Sequence, residues 1–454
     1  MSYNFRTLNY LGSKLRLLDF IEDKVLNVTP QGDGICDLFA GSGCVSRKLS
    51  RLHSVVSCDI QGYSKVICNA LLHKFDVTDK TIEDFFRSLD NECANKLREA
   101  FAPLIELEQD AIDSKKLEVL TCILEHGSLE VFNIEHNLSC LSDQLVAVCK
   151  NLERLGLNDV RSLISRYYGG VYFSYRQAVE IDIILENIHR LVSEDNRDLF
   201  LAALLSTASD VVDTVGKHFA QPIKARDSEG NIKITVYNKA IKDKTIDVIA
   251  LYREWLLKYK NLAKSSYQHI TMQCDYEQCL KALPDNVRTV YADPPYTRDH
   301  YSRYYHVLET LTLRDTPKIS TVTIHGSTHV SNGIYREDRY QSPFCIKSKA
   351  PEAFRKMFDL TASKGRNLLL SYSPYDETKK THPRVVTMQQ LIALAEEYFD
   401  NVEIVSAGSF KHNKFNSTEH FLEASDEAEL LIVCTNNDLS VRINAVKRQY
   451  KIHH

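Results

Sequence analysis

Apolar positions recur along this chain with two different periods, and the changes between them divide it into three regions. From residue 3 to about residue 72, short apolar runs alternate with stretches of helical spacing. Residues 34–39 and 53–59 are runs closed by a Gly-rich turn or an acid, as strands are. Residues 14–26 and 45–52 place apolar side chains three and four apart, as helices do. Such alternation predicts βαβ units, and so a parallel sheet with helices on its faces. From about 80 to 264 the spacing is that of long amphipathic helices, clearest at 82–106, 117–125, 138–155 and 177–191. One strand signal interrupts them at 231–237, after the turn Asp227-Ser228-Glu229-Gly230, and reads as an arm of a hairpin. From residue 267 strands return, at 269–274, 287–292, 367–372, 402–406 and 429–434. The expected architecture is an α/β, Rossmann-like sheet built from 1–79 and 266–454, split by a large, mainly helical insertion over 80–265.

Length and composition narrow the class. A chain of 454 residues has room for more than one domain, and 44% hydrophobic with 26% charged residues is ordinary for a globular protein. A net charge of −4 does not mark a nucleic-acid binder as a whole, so any such contact needs a local basic surface. The 12 cysteines are scattered without C-x-x-C pairs or metal-ligand spacing, so they read as free thiols in a reducing cytoplasm, with no metal expected. The first 20 residues are broken by Asn4, Arg6, Lys14 and Arg16, which fits neither a signal peptide nor a membrane span. No membrane association is expected.

Two segments carry candidate chemistry. The first is Asp37-Leu38-Phe39-Ala40-Gly41-Ser42-Gly43, with glycines directly after a strand and before a helix. Absent side chains let a ligand approach the backbone there, and amides at the helix start favour an acceptor. A tight βα turn explains the same glycines. Asp59, about sixteen residues beyond Gly43, stands where a second-strand acid binds ribose hydroxyls in doubly wound folds, and equally where a helix N-cap stands. The second segment is Asp293-Pro294-Pro295-Tyr296, following the apolar Val290-Tyr291-Ala292. A carboxylate at a strand end, a rigid backbone and an aromatic ring together hold a planar exocyclic amine: two oxygens accept its hydrogens while the ring stacks on the base. Prolines after a strand also make ordinary turns, so the tetrapeptide gains its meaning from the segments around it.

With Tyr10-Leu11-Gly12-Ser13-Lys14 near the start, these segments stand in an order that resembles the Dam-like (α-group) DNA N6-adenine methyltransferases. The resemblance covers about the first seventy residues and 267 to the end. It implies an S-adenosylmethionine-dependent methyltransferase sheet in 1–79 and 266–454, with DNA target recognition in 80–265. It assigns cofactor contact to Tyr10, Lys14, Asp37, Phe39, Gly41, Gly43, Asp59, Asp275 (after Cys274) and Asp293. It assigns catalysis to Asp293, Pro294, Pro295 and Tyr296, with S-adenosylhomocysteine as product and no metal. The implied partner is double-stranded DNA with a flipped adenine, in restriction-modification or related defence, where a cognate endonuclease is a further partner. RNA adenine, DNA cytosine N4 and a catalytically silent binding protein of the same fold are the alternatives, with a nicotinamide-dependent oxidoreductase as a more distant one. Cytosine-N4 enzymes usually carry Ser where Asp293 stands.

Candidate nucleic-acid contacts lie in three places. Residues 161–177 combine Arg161, Arg166 and Arg176 with five aromatics around Gly169-Gly170, a set suited either to phosphates and bases or to packing inside the helical block. Lys224 and Arg226 flank the expected hairpin. Arg298 and Arg303 follow the catalytic segment among Tyr301, Tyr304, Tyr305 and His306, where no base is required of the histidine. The stretch 316–349 is polar and Gly-rich and is expected to be mobile without substrate. Lys411, His412 and Lys414 precede the last strand, with no role assigned.

Overall fold

The computed structural model describes residues 5–297, 301–324, 326–373, 384–407 and 430–436. Its strands are β1 Gly34–Asp37, β2 Val55–Asp59, β3 Ile270–Gln273, β4 Val287–Ala292, β5 Thr321–Ile324, β6 Ser327–Val330, β7 Asn367–Tyr372, β8 Asn401–Ser406 and β9 Leu430–Thr435. Seven form one sheet in the order β3-β2-β1-β4-β7-β9-β8. The first five pair in parallel, and β9 runs antiparallel to both β7 and β8. All five strand segments expected after residue 267 are present, each within about a residue of its expected bounds.

Period-two alternation distributes the central strands between two apolar layers. Cys36, Leu38, Val290, Ala292, Leu368 and Leu370 face one layer, which is closed by helices Tyr276–Ala282, Ala350–Ala362 and Met388–Glu396. Ile35, Tyr291 and Leu369 face the other, against helices Leu18–Val28 and Cys44–Leu49. Burial on both faces explains why these strands read as continuous apolar runs. The chain passes from β1 outward to β2, and β4 returns on the opposite side of β1. That reversal opens a crevice beyond the carboxyl ends of β1 and β4, where open α/β sheets bind ligands.

Between β2 and β3 the described chain is helical, from Gly62–Leu72 to Val248–Lys260. Glu194–Val211 is buried along most of its length, so amphipathic spacing does not announce it. Its apolar side chains share one core with those of Gly62–Leu72 and of His306–Leu313, beyond the catalytic segment. The helical block is therefore packed onto the sheet's own helices.

Four expectations are corrected by this packing. Residues 82–106 are two helices, Asp79–Arg87 and Glu92–Asp113, because the Asn91 side chain accepts the Ala94 amide (3.0 Å) and starts a new helix. The 231–237 strand shrinks to a single antiparallel bridge, Arg226 to Ile232, and helix Thr235–Lys244 follows. Val236 of that helix is buried beside Leu124 and Ala225, which outweighs its β-branched preference for a strand. Residues 316–349 are tied down rather than loose: β5 and β6 form a hairpin, and buried Arg336 is held by Asp315 (2.6 Å) and Asp338 (3.0 Å). Cys122, in helix Leu117–His126, and Cys140, in the turn before helix Ser142–Leu155, form a disulfide, while the other ten cysteines are free thiols.

Lys244 is almost fully buried, with its ammonium 2.9 Å from Glu108 Oε1 and donating to the Gly170 carbonyl at 2.9 Å; Glu108 Oε2 accepts the Tyr175 amide at 2.7 Å. Removing the cation alone strands a buried carboxylate. Lys244→Ala is expected to cost about 3–5 kcal/mol of stability, read as a lower urea midpoint at unchanged slope. A loss below about 1 kcal/mol contradicts this account of the block.

Candidate functional site

The crevice at the sheet's reversal point is a partly open cleft. Its walls bring together the turn after β1, the end of β2, the 10–14 segment and the turn after β4, which are far apart in sequence. All of Tyr10, Lys14, Asp37, Phe39, Gly41, Asp59, Asp275, Asp293, Pro294, Pro295 and Tyr296 line it. Gly43 lies just behind, at the start of helix Cys44–Leu49. The register that pairs Asp37 with Tyr291 places both turns on the same edge of the sheet.

Lys14 joins the two halves. Its ammonium lies 2.8 Å from Asp293 Oδ2, with the Lys14 side chain only 7% and the Asp293 side chain 21% exposed. A charge-assisted bond at this depth fixes the carboxylate's direction. Lys14, assigned by resemblance to the cofactor, thus also holds Asp293, to which the resemblance assigns catalysis. Cys345 Sγ donates to the Pro295 carbonyl at 3.5 Å and supports the rigid turn from below. The Tyr296 ring packs at a tilt on Tyr372 (centroids 4.7 Å apart), with the Arg384 guanidinium carbon 4.9 Å from its centroid. Neither neighbour was expected from the sequence, since both come from segments more than seventy residues away.

The glycine turn is shaped by the chain itself. A Cβ on Gly41 would stand 2.6 Å from the Tyr10 hydroxyl, and one on Gly43 would stand 2.7 Å from Leu71 Cδ1; both glycines have positive φ. The space that a missing side chain leaves is therefore filled by protein. The amide of Ser46 in the following helix is taken by Asp37 Oδ2 at 2.9 Å, with the Ser46 hydroxyl donating to the same oxygen at 2.6 Å. Asp37 is thus the acceptor at this helix start, where an external one was expected. Burial pushes its pKa up to about 7, against the lowering by Ser46 and helped by Asp293 and Asp59.

Asp59 accepts the Gly41 amide through Oδ2 and the Gln61 amide through Oδ1, both at 2.9 Å. Helix Gly62–Leu72 is capped instead by Glu309, which accepts the amides of Gly62 (2.9 Å) and Tyr63 (3.1 Å). Of the two readings left open for Asp59, the N-cap therefore falls to another residue, and Asp59 stays at the cleft wall. Burial raises its pKa. Asp275 caps helix Tyr276–Ala282 through the Gln278 amide (2.9 Å) and also lines the cleft. Residues unmarked by the sequence complete the walls: Tyr63, and Tyr340-Gln341-Ser342 at the mouth. Tyr10 stacks on Tyr305, centroids 4.6 Å apart, and the Tyr305 hydroxyl accepts the Leu11 amide at 2.7 Å, so the aromatics after the catalytic turn brace the 10–14 segment.

The nucleic-acid candidates separate by burial. Arg166 turns inward: it pairs with Glu130, donates to the Ser162 hydroxyl at 3.1 Å and donates to the Asp159 carbonyl at 3.1 Å. Tyr167, Tyr168, Tyr172, Phe173 and Tyr175 are buried beside it, so packing is the role of this segment's aromatics. Arg161 is spent locally on Asp159 (3.0 Å from Nε to both oxygens) and the Gly156 carbonyl. Arg226 pairs with Glu125 at 3.1 Å. Arg176, Lys224 and Arg303 are exposed, the last with its guanidinium 5.4 Å from the Tyr335 ring centre. His306 is fully buried and its pKa is pushed down to about 3 by desolvation, which removes it from acid–base work. Arg298, Lys411, His412 and Lys414 lie outside the described residues.

The cleft thus lies at the reversal point of a mixed sheet, with a glycine turn on one side and a carboxylate-Pro-Pro-aromatic turn on the other. A family model described as D12 class N6 adenine-specific DNA methyltransferase matches residues 10–131, which takes in the 10–14 segment, the glycine turn and Asp59. Among similar proteins, the type II methyltransferase M.CviAII of Paramecium bursaria Chlorella virus 1 is 26% identical over 66% of this chain and 81% of its own length. The modification methylase LlaI of Lactococcus lactis subsp. lactis is 22% identical over 95% of this chain and 55% of its own length. The type II methyltransferase M.FokI of Planomicrobium okeanokoites is 22% identical over 81% and 44%. The chain thus spans about half the length of the last two. Over residues 10–131 the chain is similar to the D12 class of N6 adenine-specific DNA methyltransferases, and the relatives it matches are methyltransferases.

Asp37 offers a test of the turn's electrostatics. A carboxyl whose folded pKa exceeds its unfolded value keeps its proton in the fold, so its contribution is complete below about pH 4 and is lost as pH rises to about 7. Denaturant melts across that window are expected to show stability falling more steeply for wild type than for Asp37→Asn. Parallel slopes for the two proteins contradict the assignment.

Proposed function

We propose that the cleft binds S-adenosylmethionine and that the chain methylates the exocyclic N6 of an adenine flipped out of double-stranded DNA. The observation that carries this reading is the shared cleft, in which Lys14 ties the cofactor-side segment to Asp293. Its lining supports the cofactor over a nicotinamide dinucleotide. Asp59, Asp275 and Asp293, with Asp37 only partly ionised near pH 7, stand against the single ammonium of Lys14 among the lining residues described. A pyrophosphate is repelled by such a wall, whereas a sulfonium is not. Apolar Leu38, Phe39 and Ile60 fit a purine and its ribose.

When bound, S-adenosylmethionine supplies an electrophilic methyl group on sulfur and leaves as S-adenosylhomocysteine. The residues of this chain make the amine able to receive it. Adenine N6 is a poor nucleophile because its lone pair is delocalised into the ring. Asp293 and the Pro294 carbonyl accept its two hydrogens, giving the nitrogen sp³ character and turning its lone pair along the line of transfer. The proton is lost during or after transfer, and no strong base is required. Tyr296 holds the extruded base by its face, sharing the ring with Arg384 or displacing it.

In this reading 80–265 is the recognition unit and 1–79 with 266–454 the catalytic one. Exposed Arg176, Lys224 and Arg303 are the phosphate contacts retained from the sequence. The relatives' names, type II methyltransferases and a modification methylase, support a modification role, and in this reading the chain works in the cytoplasm beside a cognate endonuclease. An Asp at position 293 favours adenine over cytosine N4.

Nucleoside analysis after incubation with labelled cofactor and duplex DNA is expected to give N6-methyladenine; N4-methylcytosine, or label on RNA alone, contradicts the reading. Asp293→Ala is expected to lose at least about 100-fold in transfer rate while cofactor binding stays measurable by calorimetry. Near-normal turnover in that variant removes Asp293 from the chemistry. Stacking on an aromatic is worth roughly 1–3 kcal/mol, so Tyr296→Ala is expected to lose about tenfold to hundredfold and Tyr296→Phe to stay active. Full turnover of Tyr296→Ala refutes the stacking role.

A further inference from the structure

Behind the acidic wall of the cleft lie four thiols. Cys58 Sγ is 3.7 Å from Cys274 Sγ, and Cys36 Sγ is 3.9 Å from Cys279 Sγ. Cys36, Cys58 and Cys279 are buried, each 1% exposed or less. Cys274 is half-exposed and lines the cleft, beside Asp275. Two other cysteines line it, Cys44 and Cys345, and both are buried. Cys274 is thus the thiol of the group that a solute entering the cleft meets first. Its buried neighbour Cys58 is held in place by the sheet, where the Cys274 amide donates to the Asp59 carbonyl at 3.1 Å.

The geometry points to Cys274 as a covalent modification site within the cofactor cleft, open to soft electrophiles and to peroxide and closed by bound cofactor, with Cys58 as its resolving thiol. Hydrogen bonds from neighbouring thiols, Cys279 first, bring the Cys274 pKa down to about 7, whereas burial raises those of Cys93 and Cys149, the other half-exposed free thiols. The Cys274 thiolate attacks one oxygen of hydrogen peroxide, the O–O bond breaks, and the sulfenic acid forms as hydroxide leaves and takes up the proton that the thiol released, giving one water. Cys58 sulfur then displaces the sulfenic oxygen as a second water, and an S–S bond forms. Two thiols have lost two electrons and two protons to one peroxide. An adduct on Cys274 occupies the space beside Asp275, whereas a disulfide draws Cys274 inward toward buried Cys58 and alters that wall; either disturbs the cofactor's seat. The closing of the site by cofactor rests on the reading of the cleft given above; the reactivity of Cys274 does not.

The test uses the full chain and limiting iodoacetamide near neutral pH, with peptide mapping of each cysteine. Cys274 is expected to be alkylated about tenfold faster than Cys93 and Cys149. Saturating S-adenosylhomocysteine is expected to suppress labelling at Cys274 and leave the other two unchanged. Dilute hydrogen peroxide is expected to yield a Cys58–Cys274 linked peptide and to abolish methyl transfer, with both reversed by thiol reductant; Cys58→Ser is expected to give no such link. Labelling of Cys274 no faster than of Cys93 and Cys149, or a peroxide product linking Cys274 to Cys279, overturns the proposal. Binding of S-adenosylhomocysteine is measured separately by calorimetry. Binding without protection of Cys274 overturns this inference, whereas no binding at all overturns the cofactor reading and leaves the labelling rates to judge the thiol.

Discussion

The contact between Lys14 and Asp293 is the constraint on which the site's geometry depends. It joins a segment ahead of the first strand to a turn after the fourth, at 2.8 Å and with little water around either group. An exposed pair of this kind contributes little; a half-buried one is directional and costly to break. The sheet makes it possible, because β1 and β4 run side by side in parallel with Asp37 opposite Tyr291. Both turns then leave the same edge, and an ammonium on the neighbouring segment can reach across. Tyr10 stacked on Tyr305 and the Leu11 amide on the Tyr305 hydroxyl hold that segment in place from the other side.

The lining of the cleft carries the choice of cofactor class. Carboxylates at the ends of β1, β2 and β4 and at the cap after β3 make one wall negative. Three of them also serve the protein's own backbone: Asp37 at Ser46, Asp59 at Gly41 and Gln61, Asp275 at Gln278. Structural and ligand-facing roles therefore share the same side chains, and the thiols of Cys58, Cys274 and Cys279 lie directly behind them.

What the amino-acid order reveals and conceals follows from how local each feature is. The central strands are legible because burial on both faces leaves them apolar throughout, and the site turns are legible because their chemistry is contiguous: 37–43 and 293–296 each carry their own strand, turn and acid. Partnerships across the fold are not legible. Nothing around Arg166 announces that Glu130 draws it inward, and the aromatics of 167–175 look equally fit for bases or for a core. Glu309 caps a helix that begins 247 positions earlier, so Asp59 looked like the candidate cap. Helix Thr235–Lys244 was hidden for a related reason: its β-branched start reads as a strand until the apolar patch that buries Val236 is in view.

The central claim is that the two turns bring a sulfonium carbon and a purine amine together in one cleft. The most direct measurement is a crystal structure of the chain with a non-reactive analogue of S-adenosylmethionine and a duplex oligonucleotide containing its methylation site. The account predicts an extruded adenine with N6 bonded to the Asp293 carboxylate, about 3–3.5 Å from the transferable position and in line with it. A cofactor analogue seated away from the 37–43 turn, or a base held away from Asp293, would contradict it.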